Sequence, residues 1–133
     1  MIPRGEAEAE IHRLLAGYAL LLDSGDVAAC ADLFTGDCEF AISDGRAYQG
    51  RERLARFLQK GLDHGMAGIH LPGPTRIDVA DDGQIATAWS SFVFVANGSD
   101  AIVRGMYRDL LVHDEGRWRL RRRHVEIFPG GPG

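Results

Sequence analysis

A chain of 133 residues, 45% of them apolar and 26% charged, has room for one hydrophobic core and the composition of a globular protein. Its net charge of -4 offers no electrostatic handle to nucleic acid or to an anionic membrane, and neither is expected as a partner. The two cysteines, Cys30 and Cys38, make no disulfide framework and are expected as small buried apolar side chains.

The opening MIPRGEAEAEIHRLL is acidic where a secretory signal is basic, and no apolar run is long enough to span a bilayer. A cytoplasmic location is therefore expected. From Glu6 to Leu22, the residues Ile11, Leu14, Leu15, Tyr18 and Leu22 recur every three or four positions, the stripe of an amphipathic helix. Gly25 suits the helix exit, and Asp26 suits the N-cap of a second helix, VAACADLF, over 27–34. Next, Cys38, Phe40 and Ile42 alternate with Glu39 and Ala41 as a strand does, and SDGR at 43–46 predicts a hairpin turn. A third helix is predicted over 50–65, with Leu54, Phe57, Leu58 and Leu62 on its apolar face.

Beyond Gly65 the period becomes that of strands. Four long ones are predicted, at 69–79, 84–96, 101–113 and 117–128, divided by the turn sequences ADDGQ, NGSD and DEGR. Connections this short force antiparallel neighbours. Pro72-Gly73-Pro74 predicts a break or bulge just after His70. The closing PGGPG is expected as a tail outside any element. Helices followed by a meander make an α+β layout, and a sheet that curves around its helices leaves a cone with an apolar wall.

Phosphate loops, nucleophile elbows and zinc spacings are all missing, and the five histidines are scattered, so no metal is expected. The candidates for chemistry are polar residues set in apolar segments. Asp23 closes the first helix, and suits either a solvated exit or a buried carboxylate. Tyr18 lies on the apolar stripe, where a lone tyrosine usually packs with its hydroxyl satisfied. His70 sits in a strand, where a lone histidine is more often a core or edge residue than a catalyst. Gly105, Tyr107 and Asp109 share one strand face, lining a cavity or facing solvent. In RLRRR, alternation puts Arg119, Arg121 and Arg123 on one side and Leu120, Arg122 and His124 on the other. Most of these arginines are expected to be solvated and ion-paired, with room for one to point inward.

Taken together, the helix hairpin, the short strand, the YQG step into a third helix and the ending GMYRDLLVHDEGRWRLRRRHVEIF resemble the SnoaL-like branch of the cone-shaped NTF2-like superfamily. The resemblance runs over about residues 8–128 and implies one domain spanning 1–133, with three N-terminal helices on a strongly curved, mainly antiparallel sheet. Its site pattern is similar to that of the scytalone dehydratase and hexachlorocyclohexane dehydrochlorinase branch, which uses an Asp-His dyad. Leu22-Asp23 matches the aspartate's place and Ile69-His70 the histidine's. Tyr18 stands where the dehydrochlorinase has a lysine and a bile-acid dehydratase a tyrosine. Arg123, five residues after Trp118, matches an arginine of the last strand. The departures are Ile42, where ketosteroid isomerases carry their aspartate base, Glu126 in place of the bile-acid dehydratase's arginine, and Gly105 and Tyr107 in place of scytalone dehydratase's Ser/Asn pair.

The resemblance implies a cofactor-independent lyase or isomerase acting on a small hydrophobic molecule. Asp23 and His70 would be catalytic, and Tyr18, Tyr107 and Arg123 would contact substrate. Two alternatives stand beside it, a non-catalytic small-ligand module and an assembly protein like a dioxygenase β subunit. Apolar residues on both sides of TAWSSFVFV add the expectation of a homo-oligomer, a dimer or trimer.

Overall fold

In a computed structural model that describes residues 2–130, the N-terminal stripe becomes a 20-residue helix, α1 (Arg4–Asp23). It buries Ala7, Ile11, Leu14, Tyr18 and Leu22, one face of a 3.6-residue period. The chain leaves it through Gly25 at φ +86°, a conformation that costs other residues a Cβ clash. Asp26 then caps α2 (Val27–Ala31), its carboxylate accepting the Ala29 N–H at 3.1 Å.

The second helix is shorter than its composition predicts. It stops at Ala31, and Phe34 already belongs to β1 (Phe34–Ile42). The cause is tertiary: Leu33 accepts the backbone N–H of Leu120 at 2.8 Å, and Phe34 pairs in register with Leu120. A residue fully buried on the sheet thereby gives up a helical turn. A turn with Gly45 at φ +99° leads to the edge strand β2 (Ala47–Gln49) and then to α3 (Arg51–Asp63).

The long strands follow as β3 (Gly68–Val79), β4 (Ile85–Ala96), β5 (Ile102–Asp114) and β6 (Arg117–Phe128). All belong to one six-stranded sheet of order β2-β1-β6-β5-β4-β3. The meander β3 to β6 is antiparallel throughout, whereas β1 returns alongside β6 in parallel. The architecture is the expected α+β cone: helices at the N-terminus cover the inner face of a curved sheet, and the core lies between them.

Two irregularities in the ladder shape the interior. Between Pro72 and Thr75, β3 carries one more residue than β4, the bulge expected from the proline pair. A second lies in β6, where Leu110 and Leu111 pair with Arg122 and Leu120 and leave Arg121 as the extra residue. This corrects the strict alternation read from RLRRR. Trp118 and Leu120 point inward, the bulge reverses the phase, and Arg123 and Val125 point inward after it. Arg121 keeps the expected solvated role, paired with Asp37 at 3.0 Å. Cys30 and Cys38 are both buried and unbridged. Among the described residues no helix is long and apolar enough to cross a membrane. Residues 131–133 of the expected tail lie outside the described residues.

Candidate active site

Asp23 is the last residue of α1, and the final turn of that helix has no basic side chain. A carboxylate there faces the negative pole of the helix dipole, which costs roughly 0.3–1 kcal/mol unless a partner compensates. The partner comes from β3, 47 positions along the chain. Asp23 Oδ1 lies 2.6 Å from His70 Nδ1, and Oδ2 accepts the backbone N–H of His70 at 2.8 Å. One carboxylate thus holds both the strand and the ring.

An ionised carboxylate only accepts, so Nδ1 is the nitrogen that carries the hydrogen, and in the neutral ring Nε2 then carries the lone pair. Nε2 makes no hydrogen bond among the described residues. Both side chains are sheltered, at 15% exposure for His70 and 16% for Asp23. Aromatic rings fix the imidazole plane: Phe94 lies 4.7 Å away between centroids and Tyr18 6.3 Å.

His70 faces a cavity of about 270 Å³ bounded by α1, α3 and the inner sheet face. Its walls are apolar, with Phe40, Phe57, Leu58 and Val125 among them. Its only polar or charged lining side chains among the described residues are His70, Tyr18, Tyr107 and Arg46. A second hollow of about 150 Å³ lies behind, reaching His12, Ser90 and Arg123. His70, Tyr18, Phe92 and Tyr107 form the wall that the two share. Phe92 stacks on Tyr107 at 4.4 Å, and Gly105 makes room for that stack, since a Cβ there would sit 2.7 Å from the Phe92 ring.

Of the residues expected to contact substrate, Tyr18 and Tyr107 line the main cavity and Arg123 does not. Arg123 lies one layer back, 2% exposed, its Nε and Nη2 donating to the two oxygens of Asp109 at 2.8 and 2.9 Å. Its guanidinium carbon lies 3.7 Å from the Tyr107 ring centre and 4.3 Å from that of Tyr18. It braces both phenols from beneath. Burial opposes the charge on Arg123, but the carboxylate of Asp109 more than reverses this and binds its proton tighter than usual. Burial, reinforced by Tyr107, raises the Tyr18 hydroxyl well above the ordinary phenol range, and burial likewise raises Tyr107. Both stay neutral donors at any physiological pH.

Sequence reasoning missed the partner of one residue and the place of another. Asp109 shares a strand face with Tyr107, but its pairing with Arg123 depends on the bulge in β6, which periodicity does not reveal. Arg46 gave no signal beyond its place in a turn. Among the described residues no group of three or more His, Cys, Asp or Glu side chains is arranged to hold a metal ion.

A family described as the SnoaL-like domain matches the chain over residues 3–124. The fold is similar to that of a Mycobacterium tuberculosis protein of unknown function, 26% identical, with a TM-score of 0.82 over 92% of this chain and 72% of that one. It is similar to a candidate scytalone dehydratase from Novosphingobium aromaticivorans, 23% identical, with a TM-score of 0.82 over 92% and 84% of the two chains. LinA, 16% identical, superposes with a TM-score of 0.86 over 95% of this chain and 88% of its own. The last two likenesses are of fold alone.

Proposed function

The chain belongs to the SnoaL-like domain family, and within that family we propose that it is a cofactor-independent lyase or isomerase whose base is His70. The observation that carries this reading is the imidazole itself. One nitrogen is held by a carboxylate, and the other is unengaged at the wall of an apolar cavity.

The step is a proton abstraction. Nε2 takes a proton from a carbon beside a carbonyl or a leaving group, and the C–H electron pair moves into a new C=C bond. In an elimination the leaving group departs with its own bonding pair. In an isomerisation the enolate oxygen receives the charge, and the proton returns at another carbon. Asp23 stabilises the imidazolium that forms. Tyr18 and Tyr107, neutral and immobilised against Arg123, supply hydrogen bonds to the departing group or enolate oxygen. Donors of this kind, preorganised in a dry site, are typically worth on the order of 3 kcal/mol. The apolar walls exclude water and select a small hydrophobic substrate.

The test replaces His70 by Gln and Asp23 by Asn, one at a time, and follows turnover of a substrate identified from the molecules that bind the purified protein. Losses of about 10²–10⁴ in kcat are expected for each. The amide oxygen of Asn can still accept the His70 backbone N–H, so the fold should persist while the imidazolium loses its counter-charge. Turnover unchanged in both variants overturns the dyad, and a ligand bound equally by all three proteins without product identifies a binding module instead.

We also propose self-association through the outer sheet face. The exposed Ile69, Leu71 and Ile102 lie there with Val93 and Val95 in adjacent registers, the unpaired side of the two-sided strand β4.

A further inference from the structure

Polar groups in the main cavity are segregated. His70, Tyr18 and Tyr107 gather on one wall, while Arg46 stands apart, in the turn leading into β2. Sheet order puts β2 and β3 at opposite edges, so Arg46 and His70 approach the cavity from opposite sides of the curved sheet. Everything else lining the cavity is apolar or glycine.

Arg46 is held in a particular posture. Its backbone N–H donates to Asp44 Oδ1 at 3.0 Å and its Nε to Asp44 Oδ2 at 2.8 Å. Ile42, another wall residue, donates its backbone N–H to the Arg46 carbonyl at 2.8 Å. The guanidinium carbon lies 5.7 Å from the ring centre of Phe57, itself a wall residue, so the head group is folded over the apolar rim. Only Nε is engaged. Neither terminal nitrogen has a hydrogen-bond partner among the described residues, which leaves the planar fork that best fits a carboxylate, sulfonate or phosphate. The side chain is about half exposed, so the site is open to solvent and tolerates a charge.

We propose that Arg46 reads an anionic group on the substrate, so that the substrate class is an amphipathic one: an apolar body with an acidic substituent at the end remote from the C–H that His70 attacks. This rests on the cavity's being the substrate site, as argued above. Asp44 holds the guanidinium ready and shares it with the incoming anion. The arrangement sets direction. A molecule entering with its acidic end first meets the hydrophobic wall, whereas one entering apolar end first delivers its far carbon to Nε2 and its charge to Arg46.

The experiment compares two fluorescent probes with the same aromatic body, 1-anilinonaphthalene-8-sulfonate and the uncharged N-phenyl-1-naphthylamine. The sulfonate is expected to bind the unaltered protein about five- to tenfold tighter, the effect of a half-exposed charge-assisted contact. Arg46→Gln should bring that ratio close to one without weakening the uncharged dye, and Asp44→Asn, which frees the guanidinium, should raise it. A ratio near one in the unaltered protein, a ratio that survives Arg46→Gln, or a sulfonate that does not bind overturns the inference. Failure of the dyad appears elsewhere, in the turnover of the Asp23 and His70 variants, and leaves this ratio standing.

Discussion

Asp109→Leu is expected to be among the most damaging single substitutions in this protein, although Asp109 does not line the cavity that His70 faces. Asp109 and Arg123 have 0% and 2% of their side chains exposed, and two short hydrogen bonds join them. Removing the acid leaves a guanidinium that no pH can neutralise, 2% exposed and covered by two phenol rings. Breaking a buried pair in this way costs about 3–5 kcal/mol. A domain of this size has a total stability of roughly 5–15 kcal/mol, so between about a fifth and all of it is at stake. At roughly 3–5 °C per kcal/mol for this chain length, the melting midpoint should fall by about 10–20 °C. Replacing both partners, Asp109→Leu with Arg123→Met, removes the stranded charge and should recover most of the loss. The assay is a double-mutant cycle by urea unfolding, with near-ultraviolet circular dichroism reporting on Tyr18 and Tyr107, whose rings lie against the guanidinium. A single variant that loses less than about 1 kcal/mol, or a double variant as unstable as the two singles summed, would refute the account of Arg123 as a sealed brace.

Alkaline pH should weaken the fold through buried acids that cannot ionise in place. Burial lifts the Cys30 thiol from its ordinary value of 9.0 to about 12, and lifts both cavity phenols too. Groups whose folded pKa is raised contribute their full stability below the unfolded value and lose it as pH climbs towards the folded one. Urea midpoints should therefore hold up to about pH 9 and decline above it, less steeply at first in Cys30→Ala; a flat profile to pH 11 would contradict this. Leu71→Glu, on the exposed outer face of β3, should reduce an oligomer to monomer by light scattering. A monomeric starting protein, or an oligomer indifferent to the charge, would remove the sheet face as the interface.

How much of this was legible beforehand follows from which signals are local. Helix α1, its Gly25 exit and the Asp26 cap come from periodicity and cap chemistry, and both are properties of neighbouring residues. The kink after His70 was visible because proline announces itself. Helix α2 was overdrawn because what ends it is the sheet partner Leu120, 86 positions away from Phe34 and silent in local composition. The reversal of phase in β6 was invisible for a related reason. Arg121, Arg122 and Arg123 are chemically identical, so no apolar pattern marks which of them steps out of the ladder. The contact between Asp23 and His70 was reached through resemblance rather than periodicity, since nothing local ties a helix end to a strand that far along the chain.

Among the described residues the cone's interior holds two carboxylates paired with nitrogen side chains, Asp109 with Arg123 and Asp23 with His70, and the two pairs differ in what they can do chemically. In the Asp109–Arg123 pair both carboxylate oxygens face a cation whose proton is held more tightly than in water. That pair can orient its neighbours but cannot accept or release a proton. In the Asp23–His70 pair one oxygen is committed to the backbone and the other to one ring nitrogen, and the second nitrogen remains unengaged. An imidazole can cycle between charge states where a guanidinium cannot. A guanidinium in the histidine's place could still donate to Asp23 but could not take up a proton, so the wall proposed to be reactive is the one that carries histidine.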